Sequence, residues 1–463
     1  ELCVFRAPAE HFGWRIFNFK YIDENGGGIM VDGLEGFSHC LKEHPLSVQN
    51  EKTKQHYFGL LQYITDHFSN ECSRAKDMLV SYKIHILGDN VPSTYTENTI
   101  HNSYKQIVKN RLKCLKVYTL RYHFIFDCLC INAYDDFEKC KKITSFLCER
   151  FKSKHNSKIR DFVDCLMGVS EQNNFEGMEK QILAWQLNKR HFEKELKRIV
   201  FTANMSAGKS TIINALVGNN IAGTAEEACT QAVSFIYDKA FDDKFIDIYS
   251  TQYTIKAIDD VDSENICNGS NVVALYFNSC IEREKRICLI DTPGVNSAIN
   301  KQHKKITQKF IADGAYETLI YVFNAEALGT DDEYRYLKYI FENVQEEKII
   351  FVVNKLDIYK KGSDTVKDSI NKIVDDLKKI GFKNPIVCPI SARFAFLKKI
   401  ADIKTDITED EIEELEFFEK KFKRKDYDLS LFYKSEVNTF EDANLKKSGF
   451  YNFERLIYGG NLL

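Results

Sequence analysis

The segment Ala203-Asn-Met-Ser-Ala-Gly-Lys-Ser-Thr211 constrains the fold more than any other part of this 463-residue chain. It joins an apolar run at Arg198–Thr202 to an apolar helical pattern that begins at Ile212. A loop of small residues between a strand and a helix brings consecutive backbone N–H groups onto an anion at the helix N-terminus. The segment therefore predicts a phosphate-binding loop and a sheet whose first strand is followed by a helix.

Two further motifs follow in the order that a guanine-nucleotide hydrolase requires. Asp291-Thr-Pro-Gly294 comes directly after the apolar run Ile287–Ile290, and Asn354-Lys-Leu-Asp357 comes after Ile349–Val353. Asp-Thr-Pro-Gly alone is a common turn. Three motifs in register are much more specific, and they predict GTP and GDP as ligands, Mg²⁺ as the metal, and hydrolysis of GTP to GDP and phosphate.

The phosphate loop contains a residue type for each contact that a bound nucleotide needs. Ala207 and Gly208 are small enough to let a phosphate approach the backbone. Lys209 would reach the β and γ phosphates, the Ser210 hydroxyl would ligate magnesium, and Thr211 would lie against the α-phosphate.

The second and third motifs would contact the γ-phosphate and the base. Asp291 would hold magnesium through a water molecule, and the N–H of Gly294 would bind the γ-phosphate. Asn354 and Asp357 would supply guanine specificity, because a carboxylate accepts two hydrogen bonds from guanine N1–H and N2–H₂, whereas adenine offers no such pair. Lys355 would lie along the base.

Two more contacts are expected from other segments. Ser391, Ala392 and Arg393 follow a strand-like run at 385–389 and can present a backbone amide to the guanine oxygen. The threonine that senses magnesium must lie between the first two motifs. Thr230 is our choice, and Thr224 is the alternative.

The pattern along the chain predicts three domains: a small segment with a β-hairpin at 1–48, a helical trunk or bundle at 49–197, and a nucleotide-binding domain at 198–463. The hairpin prediction rests on Trp14–Ile22 and Ile29–Val31, which flank a glycine-rich turn. Because no proline occurs between Pro92 and Pro293, long helices can follow. We expect them at roughly 50–82, 97–131, 135–167 and 172–198.

The last of these helices has the clearest apolar stripe, which predicts a face turned toward a core and not a cofactor site. Its members are three or four residues apart: Phe175, Met178, Ile182, Trp185, Lys189, Phe192 and Leu196. The segment 105–121 is basic, and we interpret it as a solvated face, with lipid head groups or RNA as the alternative.

After residue 198 the pattern predicts an α/β fold. Short apolar runs alternate with helical stretches such as 366–380, which is typical of a mostly parallel sheet covered by helices. The runs are 198–202, 235–237, 272–277, 286–290, 319–323, 348–353 and 385–389. Thr408-Glu-Asp-Glu411 predicts a capping box at the start of a later helix. The predicted class is thus a P-loop GTPase domain preceded by a long helical region and a small β-containing segment.

Composition argues against several other functions. The formal net charge of -3 gives no global field for nucleic acid or an anionic membrane, and no window of eighteen uncharged apolar residues predicts a membrane span. The fourteen cysteines include no Cys-x-x-Cys pair. Cys128, Cys130 and His123 lack the ligand spacing of a structural zinc site, so we expect reduced thiols in the core. We expect a cytoplasmic protein without a nucleic-acid partner and leave peripheral membrane association open.

The motifs resemble those of the bacterial dynamin-like GTPases over roughly residues 175–457. The residues that carry the resemblance are Met205–Leu216, Thr230, Asp291–Gly294, Ala325–Asp332 and Asn354–Asp357. The helical region before them is similar to that of the labile-enterotoxin-output subgroup. The resemblance implies a GTPase head that forms a homodimer or a hetero-assembly, and a helical trunk that acts on a membrane or a partner protein.

The resemblance also implies how water is activated. Dynamins place a glutamine where Met205 stands, and Ras-like switches place one where Val295 stands. Ser206 would instead contact the nucleotide and help to seat K⁺ or Na⁺, and Thr230 would position the nucleophilic water. The expected catalytic residues are therefore Ser206, Lys209 and Thr230, with the site completed by head dimerisation.

The sequence is compatible with three functions. The first is a mechanochemical GTPase whose head dimerisation moves the trunk. Since a dynamin trunk also needs helices after the head, we expect either that the gene product continues past Leu463 or that residues 50–198 form most of the trunk. The second is a GTP-dependent switch that docks a partner without membrane remodelling. The third, an Era-like ribosome-associated GTPase, is disfavoured because the tail after Ser391 has no Gly-x-x-Gly loop and is acidic at 409–419.

Overall fold

The structure is a computed structural model that describes most of the chain from residue 44 onward. The described residues are 44–68, 75–88, 95, 118–133, 137–150, 156–170, 175–204, 206–223, 233–249, 255–259, 272–279, 281–294, 301–324, 330–356, 366–403, 407–424, 427–433 and 442–459. The predicted hairpin at 14–31 and most of the basic segment 105–121 lie outside them.

The described strands, in chain order, are β1 (Leu196–Ala203), β2 (Ser234–Asp238), β3 (Phe245–Tyr249), β4 (Ile255–Asp259), β5 (Val272–Leu275), β6 (Arg286–Asp291), β7 (Thr318–Asn324), β8 (Ile349–Asn354) and β9 (Ile386–Pro389). The first seven described helices are α1 (Glu51–Phe68), α2 (Ala75–Leu87), α3 (Tyr118–Ala133), α4 (Phe137–Arg150), α5 (Asn156–Leu166), α6 (Glu179–Phe192) and α7 (Lys209–Val217). They are followed by α8 (Lys301–Asp313), α9 (Asp331–Asn343), α10 (Val366–Ile380), α11 (Ala392–Ile403), α12 (Glu409–Phe422), α13 (Ala443–Lys447) and α14 (Phe450–Tyr458).

The chain divides into two compact units. The helical unit contains the described residues up to Glu193 together with the hairpin β3–β4, and the α/β unit contains the described residues of 194–238 and from 272 onward. The α/β unit is therefore interrupted by a segment that belongs to the helical unit. Our expectation of three contiguous domains, 1–48, 49–197 and 198–463, stays a prediction.

The helical unit is built around α3, which packs against α1, α2, α4 and α5. Every residue from Tyr122 to Ala133 is buried, as expected for a helix surrounded by other helices. The buried carboxylate of Asp127 accepts a hydrogen bond from the Tyr57 hydroxyl at 2.6 Å and lies 3.1 Å from Nε2 of His44. These polar partners make the burial of a carboxylate tolerable.

The predicted helix at 172–198 is shorter in the structure. Helix α6 begins at Glu179, after Gly177 with a φ of +80°, and ends at Phe192. The stripe is partly correct, since Met178, Ile182 and Trp185 are buried. Its end is wrong, because the backbone at Leu196 is extended and pairs with Arg286 of β6.

The α/β unit has a mostly parallel sheet, as predicted. Its strand order is β5-β2-β6-β1-β7-β8-β9. Strands β6, β1, β7, β8 and β9 are parallel neighbours, and β2 runs antiparallel to β6. Every residue of β8 is buried, which shows that both faces of the sheet are covered at this strand.

Several local predictions for this unit are confirmed. All seven predicted apolar runs coincide with strands, although β5 ends at Leu275, two residues earlier than expected. Helix α10 has the predicted bounds. Thr408 and Glu411 form the predicted capping box at the start of α12.

In the part of the chain that the structure describes, no helix combines the length and the apolar character that a membrane span requires.

Candidate functional site

The three sequence motifs meet at the carboxyl edge of the sheet. Asp291 is the last residue of β6 and Asn354 is the last residue of β8, while the phosphate loop follows β1. Because these strands are parallel, their carboxyl ends lie on the same edge. Open α/β sheets bind ligands at that edge.

Glycine is needed at position 208 for two reasons. Gly208 has a φ of +84°, a left-handed conformation that disfavours side chains. A Cβ atom at this position would also lie 2.3 Å from Nδ2 of Asn354. Ser206, two residues earlier in the loop, is left-handed as well, with a φ of +59°, and its side chain is exposed. The loop is thus a tight turn that leads into the first turn of α7.

A buried ion pair joins the first motif to the second. The ammonium group of Lys209 donates to Oδ1 of Asp291; Lys209 is 9% exposed and Asp291 is fully buried. The strand end beside this pair is fixed as well, since the Thr292 hydroxyl donates to the Phe201 carbonyl at 2.7 Å. Removal of either partner would leave the other charge buried and unpaired, which is strongly destabilising. The ion pair therefore keeps the side chains of Lys209 and Asp291 together.

The side chain of Asn354 joins the phosphate loop to the loop at 391–393. Its Nδ2 donates to the carbonyl of Ala207 at 3.2 Å and approaches that of Gly208 at 3.5 Å. Its Oδ1 accepts a hydrogen bond from the N–H of Ala392 at 3.2 Å. We expected this side chain to contribute to guanine specificity, and the structure shows it bonded to backbone groups of both loops.

The segment predicted to reach the guanine oxygen is anchored from two sides. The N–H of Ser391 donates to the carbonyl of Ser448 at 3.0 Å, and Ser391 and Ala392 are both buried. The guanidinium of Arg393 donates from Nε and Nη2 to one carboxylate oxygen of Glu414, at 2.9 and 2.8 Å. The side chain of Arg393 therefore points to a neighbouring helix, and only its backbone remains suited to contact a base.

The remaining expected residues divide into two groups. Ser210 and Thr211 occupy the first turn of α7, and Gly294 follows β6 by three residues. Lys355 is half-buried with a φ of +63°. Thr230, Thr224 and Asp357 lie outside the described residues. The roles assigned to the site residues stay predictions.

Two asparagines near the site were not predicted. The buried Asn214 of α7 accepts from the N–H groups of Ile221 and Ala222 at 3.1 and 2.8 Å, so it fixes the chain that leaves α7. Asn324, the last residue of β7, donates to the carbonyl of Ser206 at 3.5 Å. A polar residue within the apolar run at 212–217 was the available signal for Asn214.

A largely buried ion pair lies at the last residue of β2. Asp238 accepts hydrogen bonds from Nε and Nη2 of Arg283, at 2.8 and 3.1 Å, and from the N–H of Phe277 at 3.1 Å. Burial raises the pKa of Asp238 from 3.8 to about 6, and the nearby guanidinium of Arg283 only partly offsets this rise. Asp238 is thus a buried carboxyl group with a pKa of about 6.

The order of the strands, the loop around Gly208 and the position of the three motifs define the α/β unit as a P-loop GTPase domain. Residues 199–356 match the Dynamin family. This part of the chain extends from β1 through β8 and includes the phosphate loop and the Asp-Thr-Pro-Gly motif. The match supports a dynamin-like GTPase domain in this part of the chain. The narrower assignment to a bacterial subgroup stays a prediction.

Three relatives show the extent of the similarity. The chain is 27% identical over 288 residues to an uncharacterized protein in the xynA 3' region of Caldicellulosiruptor sp. strain Rt8B.4, a match that covers 58% of this chain. It is 25% identical over 204 residues, 44% of its length, to a probable transmembrane GTPase FZO-like, chloroplastic, of Arabidopsis thaliana. It is 28% identical over 124 residues, 26% of its length, to dynamin-like protein A of Bacillus subtilis strain 168. The matches span 65%, 20% and 10% of these relatives.

Proposed function

We propose that this chain binds GTP at the carboxyl edge of the sheet and hydrolyses it to GDP and phosphate. The observation that carries the proposal is the arrangement around Asn354, whose side chain bonds to both the phosphate loop and the loop at 391–393. A nucleotide needs its phosphates and its base recognised at a fixed separation. One side chain bonded to both loops sets that separation.

The phosphate end of the site supplies positive charge and donors. The first turn of α7 has N–H groups without intrahelical partners, and the helix dipole adds partial positive charge there. Lys209 is the first residue of α7, and its ammonium group donates to Asp291 at the end of β6. These groups would stabilise the charge that develops on the β and γ phosphates as the terminal bond breaks.

The donor set also fits a magnesium ion. Mg²⁺ prefers oxygen ligands, takes only one or two from the protein and keeps several waters. Ser210 lies in the first turn of α7, and the Asp291 carboxylate, which accepts from Lys209, lies at the end of β6, so a hydroxyl and a carboxylate lie at the same edge of the sheet. When bound, the ion would neutralise charge on the phosphate oxygens. The role of these two residues is to hold it beside Lys209.

Hydrolysis would depend on association of two GTPase domains. Ser206 is exposed and left-handed, so its hydroxyl is accessible at the mouth of the phosphate loop. We propose that Ser206 helps to seat K⁺ or Na⁺ and that Thr230 positions the attacking water. A partner domain would exclude bulk solvent and strengthen these electrostatic contacts. The helical unit would then move against a membrane or a partner protein.

The test is steady-state GTP hydrolysis over a hundredfold range of protein concentration, in potassium, sodium and lithium salts. We expect specific activity to rise with concentration and to fall in lithium. Ser206→Ala and Thr230→Ala should each lose about 100- to 1,000-fold in rate, which is typical of losing one preorganised group. Thr224→Ala is the matched control and should retain activity. A flat concentration profile with no cation dependence would show that one domain acts alone.

Membrane action is tested separately with liposomes of mixed neutral and anionic lipid. Nucleotide-dependent sedimentation or reshaping of the vesicles supports a membrane-acting enzyme. Nucleotide-dependent capture of a protein, with vesicles unaffected, supports a regulatory switch.

A further inference from the structure

The helix α12, which follows the predicted motifs, is attached to the base-binding side of the site. It packs against α11, the helix that begins at Ala392. Phe394 of α11 stacks on Phe422 with ring centroids 4.9 Å apart and meets Phe418 edge-on at 6.0 Å. The start of α12 is fixed by its capping box. These contacts hold α12 against the first turn of α11.

Arg393 and Lys398 of α11 both form ion pairs with α12, and of these two residues only Arg393 lies at the base-binding loop. Arg393, the second residue of α11, bonds to Glu414, and its Nη2 also lies 3.8 Å from Oε1 of Glu411. Lys398, more than one helical turn further on, pairs with Glu419 at 3.2 Å. The pairs of Arg393 and of Lys398 join the same helices but differ in their distance from residues 391–393.

The backbone amides of this first turn have different partners. The N–H of Ser391 bonds to the Ser448 carbonyl, and the N–H of Ala392 bonds to Oδ1 of Asn354. The N–H of Arg393 has no partner within the helix, because the first amides of a helix lack a carbonyl four residues earlier in the helix. The direction of the Arg393 N–H therefore depends on the contacts that hold Arg393 in place, among them those of its side chain with Glu414.

We propose that Glu414 is a positioning residue for guanine recognition. It holds the guanidinium of Arg393 and thereby fixes the Arg393 N–H toward oxygen O6 of the bound guanine. This inference rests on the proposed function. In this proposal Glu414 acts only through Arg393, so its effect is on base affinity and not on the phosphate contacts.

The solvent exposure of the Arg393–Glu414 pair determines how large a loss of GDP affinity we expect. Arg393 and Glu414 are each 37% exposed, and ion pairs of this kind contribute modestly. We therefore expect Glu414→Gln to weaken GDP binding about two- to fivefold. Because two N–H groups of one guanidinium meet one carboxylate oxygen, the geometry supports an effect within this range.

The experiment measures the affinity of the full chain for three ligands in the presence of magnesium: GDP, inosine diphosphate and inorganic pyrophosphate. Inosine diphosphate keeps O6 but lacks the 2-amino group, and pyrophosphate has no base. Glu414→Gln should weaken GDP and inosine diphosphate by the same factor and leave pyrophosphate unchanged. The double variant Arg393→Gln/Glu414→Gln should match the Arg393→Gln single variant, because Glu414 acts through Arg393.

Glu419→Gln is the matched control, since it removes a similar pair from the same helix. It should leave all three affinities unchanged. The inference is overturned if Glu414→Gln binds GDP like the wild type, if pyrophosphate weakens equally, or if Glu419→Gln has the same effect. If the wild type binds pyrophosphate but not GDP, the proposed function fails together with this inference. If the wild type binds GDP and Glu414→Gln is unchanged, this inference fails alone.

Discussion

Substitution of Gly208 by alanine is the sharpest test of the phosphate-loop geometry. Two costs add at this position. Alanine in a left-handed conformation costs about 1–2 kcal/mol, and the φ of Gly208 is +84°. The new Cβ would lie 2.3 Å from Nδ2 of Asn354, a distance that forces the amide to move.

Movement of the Asn354 side chain would break two hydrogen bonds. Its amide bonds to the Ala207 carbonyl and to the Ala392 N–H, each at 3.2 Å. Each such bond contributes about 1 kcal/mol net. The backbone strain and the two lost bonds together amount to about 3–4 kcal/mol. If nucleotide binding must restore the loop geometry, affinity for GDP falls by about 100- to 1,000-fold.

A double-mutant cycle separates the two costs. Calorimetry with GDP and magnesium is carried out on the wild type, Gly208→Ala, Asn354→Ala and the double variant. In the Asn354→Ala background the new Cβ has no amide to displace, so Gly208→Ala should cost only the backbone strain of about 1–2 kcal/mol. We therefore expect a coupling of about 2 kcal/mol between the two positions.

Gly88→Ala is the control for backbone strain alone. Gly88 has a φ of +89° and no atom within 4 Å of an added Cβ. Its variant should lose stability by about 1–2 kcal/mol and keep its affinity for GDP. If Gly208→Ala costs the same affinity with and without Asn354, the contact between the loop and this side chain does not control nucleotide binding.

Three further predictions concern charged side chains. Lys209→Ala should remove tight nucleotide binding, so that at GDP about 100-fold above the dissociation constant the wild type gains about 2.7 kcal/mol of stability and the variant almost none; equal thermal shifts would contradict the role of Lys209. Asp357→Asn should weaken guanine binding by about 1–3 kcal/mol, or five- to 150-fold, and equal affinity of the wild type for GTP and ATP in calorimetry would refute the assignment. The folded protein holds the Asp238 proton more tightly than the unfolded chain, with a pKa of about 6 against 3.8. Urea unfolding should therefore show the wild type gaining on the order of 2–3 kcal/mol over Asp238→Asn between pH 7 and pH 4, and a pH-independent difference would exclude this linkage.

The parts that were predicted correctly depend on local sequence. Runs such as Ile349–Val353 are apolar on consecutive residues, which is typical of a strand covered on both faces, and the structure places them in the sheet. The capping box at Thr408 needs only residues three apart. Such signals are complete within a few residues, so one sequence is enough to read them.

The parts that were not predicted depend on contacts between distant residues. Asn354 bonds to carbonyls 146 and 147 residues away, and Arg393 meets Glu414 across two helices. The hairpin β3–β4 was missed, and its assignment to the helical unit could not be read from its own residues. Local periodicity contains no information about which distant carboxylate or carbonyl a side chain will reach.

Base and phosphate recognition are physically coupled in this domain. Helix α11, which follows the base-binding loop, packs directly against α7, which follows the phosphate loop. Asn354 bonds to both loops at the place where these helices begin. A shift of Ala207 or of Ala392 therefore breaks a hydrogen bond to Asn354, which couples the two loops. A base that fits poorly would disturb the carbonyl of Ala207, next to Gly208 and Lys209, and would weaken phosphate contacts as well as base contacts. Guanine specificity should thus appear in the hydrolysis rate and not only in the dissociation constant.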